Sequence, residues 1–154
     1  MALTIILSLY ASIGLLAAVG SMYLTYRFVP ARFESTLYGA FLILIAAFYL
    51  VFTSYFGDAA AWNLEMAAVL GFALLGGLGT RLPMVLVAGY LLHGAWDALH
   101  EIHAHAGLDV FRGRPSTQIP LAYGAFCATY DWSMALYFLY RRGHWITSRA
   151  SRIS

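Results

Sequence analysis

Long apolar stretches separated by short polar turns make up most of the chain. A transmembrane helix needs about 20 mostly apolar residues, and five segments are long enough. Proline, glycine and charged residues mark the turns between them, as at Pro30, Gly57-Asp58 and Pro83. The pattern therefore predicts an all-α integral membrane bundle of five transmembrane helices, forming one domain over residues 1–154. The predicted helices cover residues 4–27, 36–56, 59–79, 84–105 and 119–140.

The first of these segments has a start that could be confused with a signal peptide. It has no basic residue before its apolar run, and the run continues to about Phe28. That is longer than the 7–15 apolar residues of a typical signal peptide. We therefore expect it to be the first spanning helix.

The composition strengthens the membrane prediction and excludes another class of partner. Of the 154 residues, 62% are hydrophobic and 10% are charged, whereas a soluble domain carries about 25% charged residues. All nine cationic residues are arginine, and the formal net charge is +2. That charge is too small to favour binding to nucleic acid, so no nucleic-acid partner is expected.

The distribution of arginines predicts the orientation of the bundle. Cytoplasmic loops carry an excess of basic residues. With the amino terminus outside and the carboxyl terminus inside, seven arginines fall on the inner side and two on the outer side. Trp62 and Trp145 then lie near the outer and inner interfaces, where tryptophan is enriched. The inner arginines are Arg27, Arg32, Arg81, Arg141, Arg142, Arg149 and Arg152, and the outer ones are Arg112 and Arg114.

Small residues along the predicted helices indicate a compact bundle. In lipid, glycine, alanine and serine let two backbones approach one another. The first helix carries four such residues, and Ala73 and Gly77 form a small-xxx-small pair on the third. The four on the first helix are Gly14, Ala17, Ala18 and Ser21.

The fourth predicted helix carries four of the five histidines and two acidic residues. At about 100° per residue, His93, Asp97 and His100 fall within roughly 60° of one another. Glu101 and His103 flank this stripe at about 80° on either side. Because residues four apart on one helix face can bind the same metal ion, the stripe is a candidate metal site.

Acidic residues on two other helices are predicted to reach the same depth. With a rise of 1.5 Å per residue, His93 and Asp131 both lie within about 3 Å of the membrane midplane, and Glu65 lies about 6 Å from it. A charge at the bilayer centre costs at least about 2.5–3.5 kcal/mol, so such groups normally face one another or water. We therefore expect Asp131 to face the fourth helix and to approach His93 or Asp97.

Part of the chain has a recognisable pattern, His-Gly-x-Trp-Asp-x-x-His from His93, followed by Pro120-x-x-Tyr123-x-x-x-Cys127-x-x-Tyr130-Asp131. It resembles a group of small bacterial multi-pass membrane proteins to which no activity is assigned, and the resemblance implies a bacterial inner membrane location. The spacing of His93 and Asp97 is also similar to the His-x-x-x-Glu of emopamil-binding sterol-isomerase-type membrane proteins. Those proteins use it to move protons on a buried lipid, which serves here as an analogy for chemistry.

The first functional hypothesis is a membrane-embedded enzyme that uses a metal or acid–base chemistry on a lipid or another apolar molecule. Imidazole and carboxylate ligands together suit a divalent metal such as zinc or iron. Without a metal, a desolvated carboxylate beside a histidine can act as an acid or a base. The candidate catalytic residues are His93, Asp97, Asp131, Glu65 and Tyr130, and the candidate metal ligands are His93, Asp97, His100, Glu101 and Asp131.

Two other functions fit the same residues. A series of acidic residues and histidines inside a membrane is also typical of proton-coupled transport, and with only five helices a transporter would have to form a homo-oligomer. Alternatively, the chain is a structural subunit of a larger membrane complex, and its polar cluster serves packing. In more conservative interpretations, Asp131 holds two helices together, Glu65 reaches the membrane surface, and His103 and His105 belong to the outer interface.

Overall fold

The structure, a computed structural model, describes residues 1–150, and all the regular secondary structure over that range is helical. Five α-helices are present, which confirms the predicted all-α class and the number of helices. Arg152, counted above on the inner side, lies outside the described residues, as do the side chains of Arg149 and Ala150. The elements are α1 (Ala2–Phe28), α2 (Ala31–Phe56), a short 3-10 helix (Ala59–Ala61), α3 (Trp62–Gly79), α4 (Pro83–His105) and α5 (Tyr123–Ala150).

Three of these helical segments are long and apolar enough to cross a membrane. They are Ala2–Phe28, Ala31–Phe56 and Ala59–Gly79. The first has only a small buried fraction, and most of its large apolar side chains point away from the bundle, including Leu9, Leu16 and Val19. Apolar surface of this extent on a single helix is typical of a protein in contact with lipid.

The fifth helix differs from the sequence prediction at both ends. It begins at Tyr123, because the chain before it turns through Ala122, whose φ of 64° is left-handed. It continues to Ala150, ten residues beyond the predicted end at 140. Trp145 is fully buried, and its indole nitrogen donates a hydrogen bond of 2.7 Å to Glu34 on α2. This contact anchors the polar end of α5 to the bundle.

Glu34 is the centre of a polar cluster at that end of the bundle. Its carboxylate accepts hydrogen bonds from the Arg141 guanidinium, at 3.0 Å from Nε, and from Trp145. The Tyr137 hydroxyl lies 3.4 Å from the same carboxylate. Glu34 is fully buried and Arg141 nearly so, so the ion pair joins the first turn of α2 to α5 without exposing either charge.

The helices are arranged around a central pair, α4 and α5, which share the most extensive contact surface. α1 packs on the other side of α5, while α2 packs on α3 and α3 packs on α4. α2 also reaches α4 and α5 along its buried face, which includes Tyr38, Leu42 and Tyr49. The core therefore lies between α2, α4 and α5, and α1 stands at the periphery.

Glycines set the closest approach between α2 and α3. A Cβ on Gly39 would lie 2.5 Å from the carbonyl oxygen of Gly76, and a Cβ on Gly76 would lie 2.5 Å from that of Gly39. Gly77, one of the small residues of the small-xxx-small pair, takes no part in this contact, since a Cβ there would meet open space. Its neighbour Gly76 is buried, as is Phe72 one turn before it.

Candidate functional site

His93 lies at the centre of a buried polar group formed by α4 and α5. Its Nδ1 lies 2.7 Å from Oδ2 of Asp131 on α5 and 3.0 Å from Oδ2 of Asp97, one turn further along α4. All three residues are completely buried. The expectation that Asp131 faces the fourth helix and approaches His93 is therefore confirmed.

Glycines allow the two helices to bring these side chains together. A Cβ on Gly94 would lie 3.2 Å from Cβ of Asp131 and 2.7 Å from the Trp132 indole nitrogen. A Cβ on Gly124 would lie 2.7 Å from Cβ of Glu101. With a side chain at either position, α5 would stand further from α4, and the His93–Asp131 hydrogen bond could not form at its present length.

Tyr49 of α2 is a member of the site that the sequence did not reveal. Its hydroxyl donates a hydrogen bond of 2.5 Å to Oδ1 of Asp97, and the residue is 1% exposed. Tyrosine and phenylalanine are frequent along α2, and periodicity alone does not distinguish the one that faces a carboxylate. The contact also brings α2 into a site predicted from α3, α4 and α5.

The group contains more acidic than basic side chains. Two carboxylates face one imidazole, and among the described residues neither carboxylate is paired with an arginine. His93 Nδ1 can donate only one hydrogen bond, and the shorter distance directs it to Asp131. Three atoms of the group then have no hydrogen-bond partner within the described part of the chain: His93 Nε2, Asp97 Oδ2 and Asp131 Oδ1.

The same three residues could hold a metal ion. One ligand atom from each of His93, Asp97 and Asp131 can be chosen so that all three lie within 4.8 Å of one another. They are the only such group found among the described residues. Of the five predicted metal ligands, the structure brings these three together and places His100 and Glu101 elsewhere.

His100 forms a second buried pair, with Glu65 of α3. Its Nε2 lies 3.0 Å from Oε1 of Glu65, and its Nδ1 lies 3.1 Å from the Trp96 carbonyl oxygen. Glu65 also accepts a hydrogen bond of 3.0 Å from the backbone nitrogen of Thr117, in the segment between α4 and α5. Glu65 is completely buried, so the interpretation in which it reaches the membrane surface is wrong. The Tyr49 ring lies 4.6 Å from the His100 ring, centre to centre, and links the two pairs.

Glu101 and Tyr130, both predicted to belong to the site, make other contacts. Glu101 accepts hydrogen bonds from the backbone nitrogens of Ala122 and Gly124, at 3.0 and 2.9 Å. Acidic side chains suit this position, because the first backbone N–H groups of a helix have no partner within it. The Tyr130 hydroxyl lies 3.2 Å from the Ser21 hydroxyl of α1 and therefore points away from His93.

The remaining histidines of α4 lie near its carboxyl end. His103 is partly exposed, and its Nδ1 lies 3.2 Å from the Leu108 carbonyl oxygen. His105 Nε2 lies 4.0 Å from Glu101. Neither residue belongs to the group around His93.

Comparison with known protein families, with curated proteins and with solved structures finds no match to this chain.

Proposed function

We propose that this chain is a multi-pass membrane enzyme with a divalent metal centre held by His93, Asp97 and Asp131, acting on a lipid or another apolar molecule. The observation that carries the proposal is the convergence of three ligand side chains at one fully buried point. Zinc and iron are the metals that best suit one imidazole and two carboxylates.

Charge balance supports a bound cation. A buried ionised group is very costly unless it is paired or binds a metal. Two carboxylates and a neutral imidazole carry two negative charges, and a divalent ion would neutralise both. Without an ion, the group must instead hold extra protons on His93 and on one carboxylate.

The spacing of the ligand atoms also supports the proposal. Zinc binds imidazole nitrogen and carboxylate oxygen at about 2.0–2.2 Å, so neighbouring ligand atoms in a tetrahedral site lie about 3.3–3.6 Å apart. His93 Nδ1 lies 2.7 and 3.0 Å from the two nearest carboxylate oxygens, so each oxygen would have to move outward by less than about 1 Å to admit the ion.

The number of ligands indicates catalysis more than structure. Structural zinc sites are usually closed by four protein ligands, whereas catalytic sites have three and leave a position for water or substrate. A metal here would polarise a substrate oxygen or lower the pKa of a bound water. Tyr49 would fix the orientation of Asp97 through its hydrogen bond, a role that carboxylates bound to metals commonly require.

We propose further that all five helices cross the inner membrane of a bacterium, with the amino terminus outside. Three apolar segments and the uneven distribution of arginines support this arrangement. Under it, His93 lies near the middle of the membrane, and a substrate must reach it through lipid. A lipid or similarly apolar molecule is therefore the expected substrate class.

Metal analysis of the purified protein tests the proposal. Wild-type protein should contain about one equivalent of zinc or iron, as expected for a single three-ligand site. His93→Gln and Asp131→Asn should each lose the metal, because each removes a ligand with little change in volume. Mass spectrometry of acid-digested samples gives the stoichiometry.

Two substitutions outside the group serve as matched controls. His103→Gln and Asp109→Asn change the same residue types at partly exposed positions and should retain the metal. Absence of stoichiometric metal from wild-type protein prepared without chelator would refute the metal centre. Acid–base chemistry by His93 and Asp131 would then be the remaining form of the enzyme hypothesis.

A second function, proton-coupled transport, is favoured by one specific feature. The His93 and His100 pairs follow one another along α4, and the Tyr49 ring contacts both imidazole rings, at 6.2 and 4.6 Å between centres. Acidic residues and histidines in series can pass protons through a membrane. Proteoliposomes should then show a flux that depends on a pH gradient and that Asp131→Asn abolishes while Asp109→Asn leaves it unchanged. No flux in wild-type protein would eliminate this candidate.

A further inference from the structure

One end of the bundle is formed by the end of α1, the start of α2, the turn between α3 and α4, and the last part of α5. The Arg141 guanidinium of α5 lies 5.2 Å from the centre of the Tyr26 ring on α1 and binds Glu34 in the first turn of α2. Nη1 of Arg142 lies 3.2 Å from the sulfur of Met84, at the start of α4. These contacts bring chain segments from distant parts of the sequence to one surface.

The charge at this end of the bundle is almost entirely positive. Glu34 is the one acidic residue that the described chain places there, and it is completely buried and bound to Arg141. Glu34 therefore neutralises Arg141 and leaves an excess of positive charge on the surface. Five arginines with described side chains define what we call the basic end: Arg27, Arg32, Arg81, Arg141 and Arg142.

Two of these arginines, Arg27 and Arg32, flank the turn between α1 and α2 and are exposed. No acidic residue of the described chain forms an ion pair with either of them. Each guanidinium lies over the ring of the next residue, at 5.4 Å from the centre of Phe28 and 4.6 Å from that of Phe33. These rings are themselves 69% and 50% exposed. The turn therefore presents two unpaired cations, each beside an exposed aromatic ring.

This combination suits the boundary between the acyl chains and the headgroups of a membrane. Tyr23 and Tyr26, in the last turns of α1, are also exposed, and tyrosine is enriched at that boundary. The two phenylalanine rings can lie among the acyl chains while the guanidinium groups beside them meet the headgroups. A guanidinium binds phosphate oxygens through two parallel hydrogen bonds.

We propose that the turn between α1 and α2 binds the headgroups of anionic phospholipids through Arg27 and Arg32. Basic residues next to a membrane are attracted to anionic lipids, and at the basic end no exposed acidic residue of the described chain competes for them. A phospholipid with net negative charge is therefore preferred over a zwitterionic one. The inference rests on the proposed membrane arrangement, and it goes beyond the enzyme function because it does not involve the metal centre.

The opposite end of the bundle offers a different surface. Its two arginines, Arg112 and Arg114, are exposed in the segment between α4 and α5. That segment also carries Asp109, whose side chain is 56% exposed. Asp58 lies at the same end, where its carboxylate accepts a hydrogen bond of 2.8 Å from the backbone nitrogen of Gln118. Because charges of both signs are mixed there, the two arginines provide a control for the basic end.

Native mass spectrometry of the full chain in detergent tests the proposal. The protein is offered equal amounts of phosphatidylglycerol and phosphatidylcholine with identical acyl chains, and wild-type protein should retain phosphatidylglycerol preferentially. The double variant Arg27→Gln/Arg32→Gln should bind phosphatidylglycerol about 25-fold more weakly, since each arginine removed lowers the affinity by about fivefold. Binding of phosphatidylcholine should not change.

The double variant Arg112→Gln/Arg114→Gln is the matched control, because it removes the same charge from the other end of the bundle. It should bind phosphatidylglycerol as wild-type protein does. Equal losses in the two double variants would overturn the proposal, since the lipid would then respond only to the total charge of the protein. Wild-type protein that retains both lipids equally, or that releases phosphatidylglycerol to an equal concentration of inorganic phosphate, would also overturn it.

Two further measurements separate this inference from the proposed function. Protein that stays in membranes washed with alkaline carbonate but shows no lipid preference would refute the lipid site and leave the membrane arrangement intact. Protein released by the wash would refute both. The metal content of Arg27→Gln/Arg32→Gln should equal that of wild-type protein, because neither arginine contacts the group around His93.

Discussion

Gly124→Ala should weaken the bundle and disable the candidate metal centre together. The added methyl would lie 2.7 Å from Cβ of Glu101 and closer still to the backbone carbonyl oxygen of Asp97, whereas two carbons pack favourably at about 3.5–4.0 Å. α5 must therefore move from α4 by about 1 Å. The same movement would stretch the His93–Asp131 distance from 2.7 Å beyond the 3.2 Å limit of an ordinary hydrogen bond. Overpacking of this kind costs typically about 1–3 kcal/mol.

Gly143→Ala is the control, because it makes the same change on the same helix. A Cβ at Gly143 meets no atom within 4 Å, and alanine is favoured over glycine in a helix by up to about 1 kcal/mol. Thermal unfolding in one detergent should rank Gly143→Ala at or above wild type and Gly124→Ala below it, with metal content lost only from Gly124→Ala. Equal unfolding temperatures and equal metal contents for the two variants would show that close contact between α4 and α5 does not position the site.

Three further substitutions give separate tests. Tyr49→Phe leaves a buried carboxylate oxygen without its hydrogen-bond donor, so we expect a loss of about 1–3 kcal/mol in stability. Metal binding, measured by titration, should weaken by about 10–100-fold. Tyr55→Phe, on the exposed face of α2, should change neither quantity. Glu34→Gln leaves the buried Arg141 charge unpaired and should cost about 3–5 kcal/mol, and unchanged thermal unfolding would mean that this cluster does not anchor α5. Glu101→Gln weakens the cap on α5, so hydrogen exchange should accelerate at residues 122–124 while the metal content stays unchanged; loss of the metal would instead place Glu101 among the ligands.

Much of the fold could be predicted from the sequence because each helix is specified by its own residues. An apolar run about 20 residues long bounded by proline, glycine or charge has few alternatives to a helix, and the number of helices followed from counting such runs. The ends of a helix were harder to predict where they depend on tertiary contacts. The last ten residues of α5 are polar, and they remain helical in a structure where Trp145 is buried against Glu34.

The three residues at the centre of the candidate site could also be predicted from the sequence. His93 and Asp97 share a face of α4 through helix periodicity alone. Asp131 could be added because an ionisable group at the same depth on a neighbouring helix, surrounded by small residues, has few other places to find a partner. The 2.7 Å contact between His93 and Asp131 agrees with that reasoning.

Only the tertiary structure decided which of the other polar residues join the group. Periodicity placed His100 in the stripe and Glu101 beside it, but each is paired with a distant part of the chain and lies outside the group around His93. Glu65 pairs with His100, and the Glu101 carboxylate accepts hydrogen bonds from the backbone at the start of α5. Conversely, Tyr49 belongs to the site because α2 packs against α4 and brings its hydroxyl to Asp97. No local pattern in the sequence of α2 indicates that contact. The sequence of a helix determines which of its side chains share a face, whereas the residues that pack against that face depend on the arrangement of all five helices.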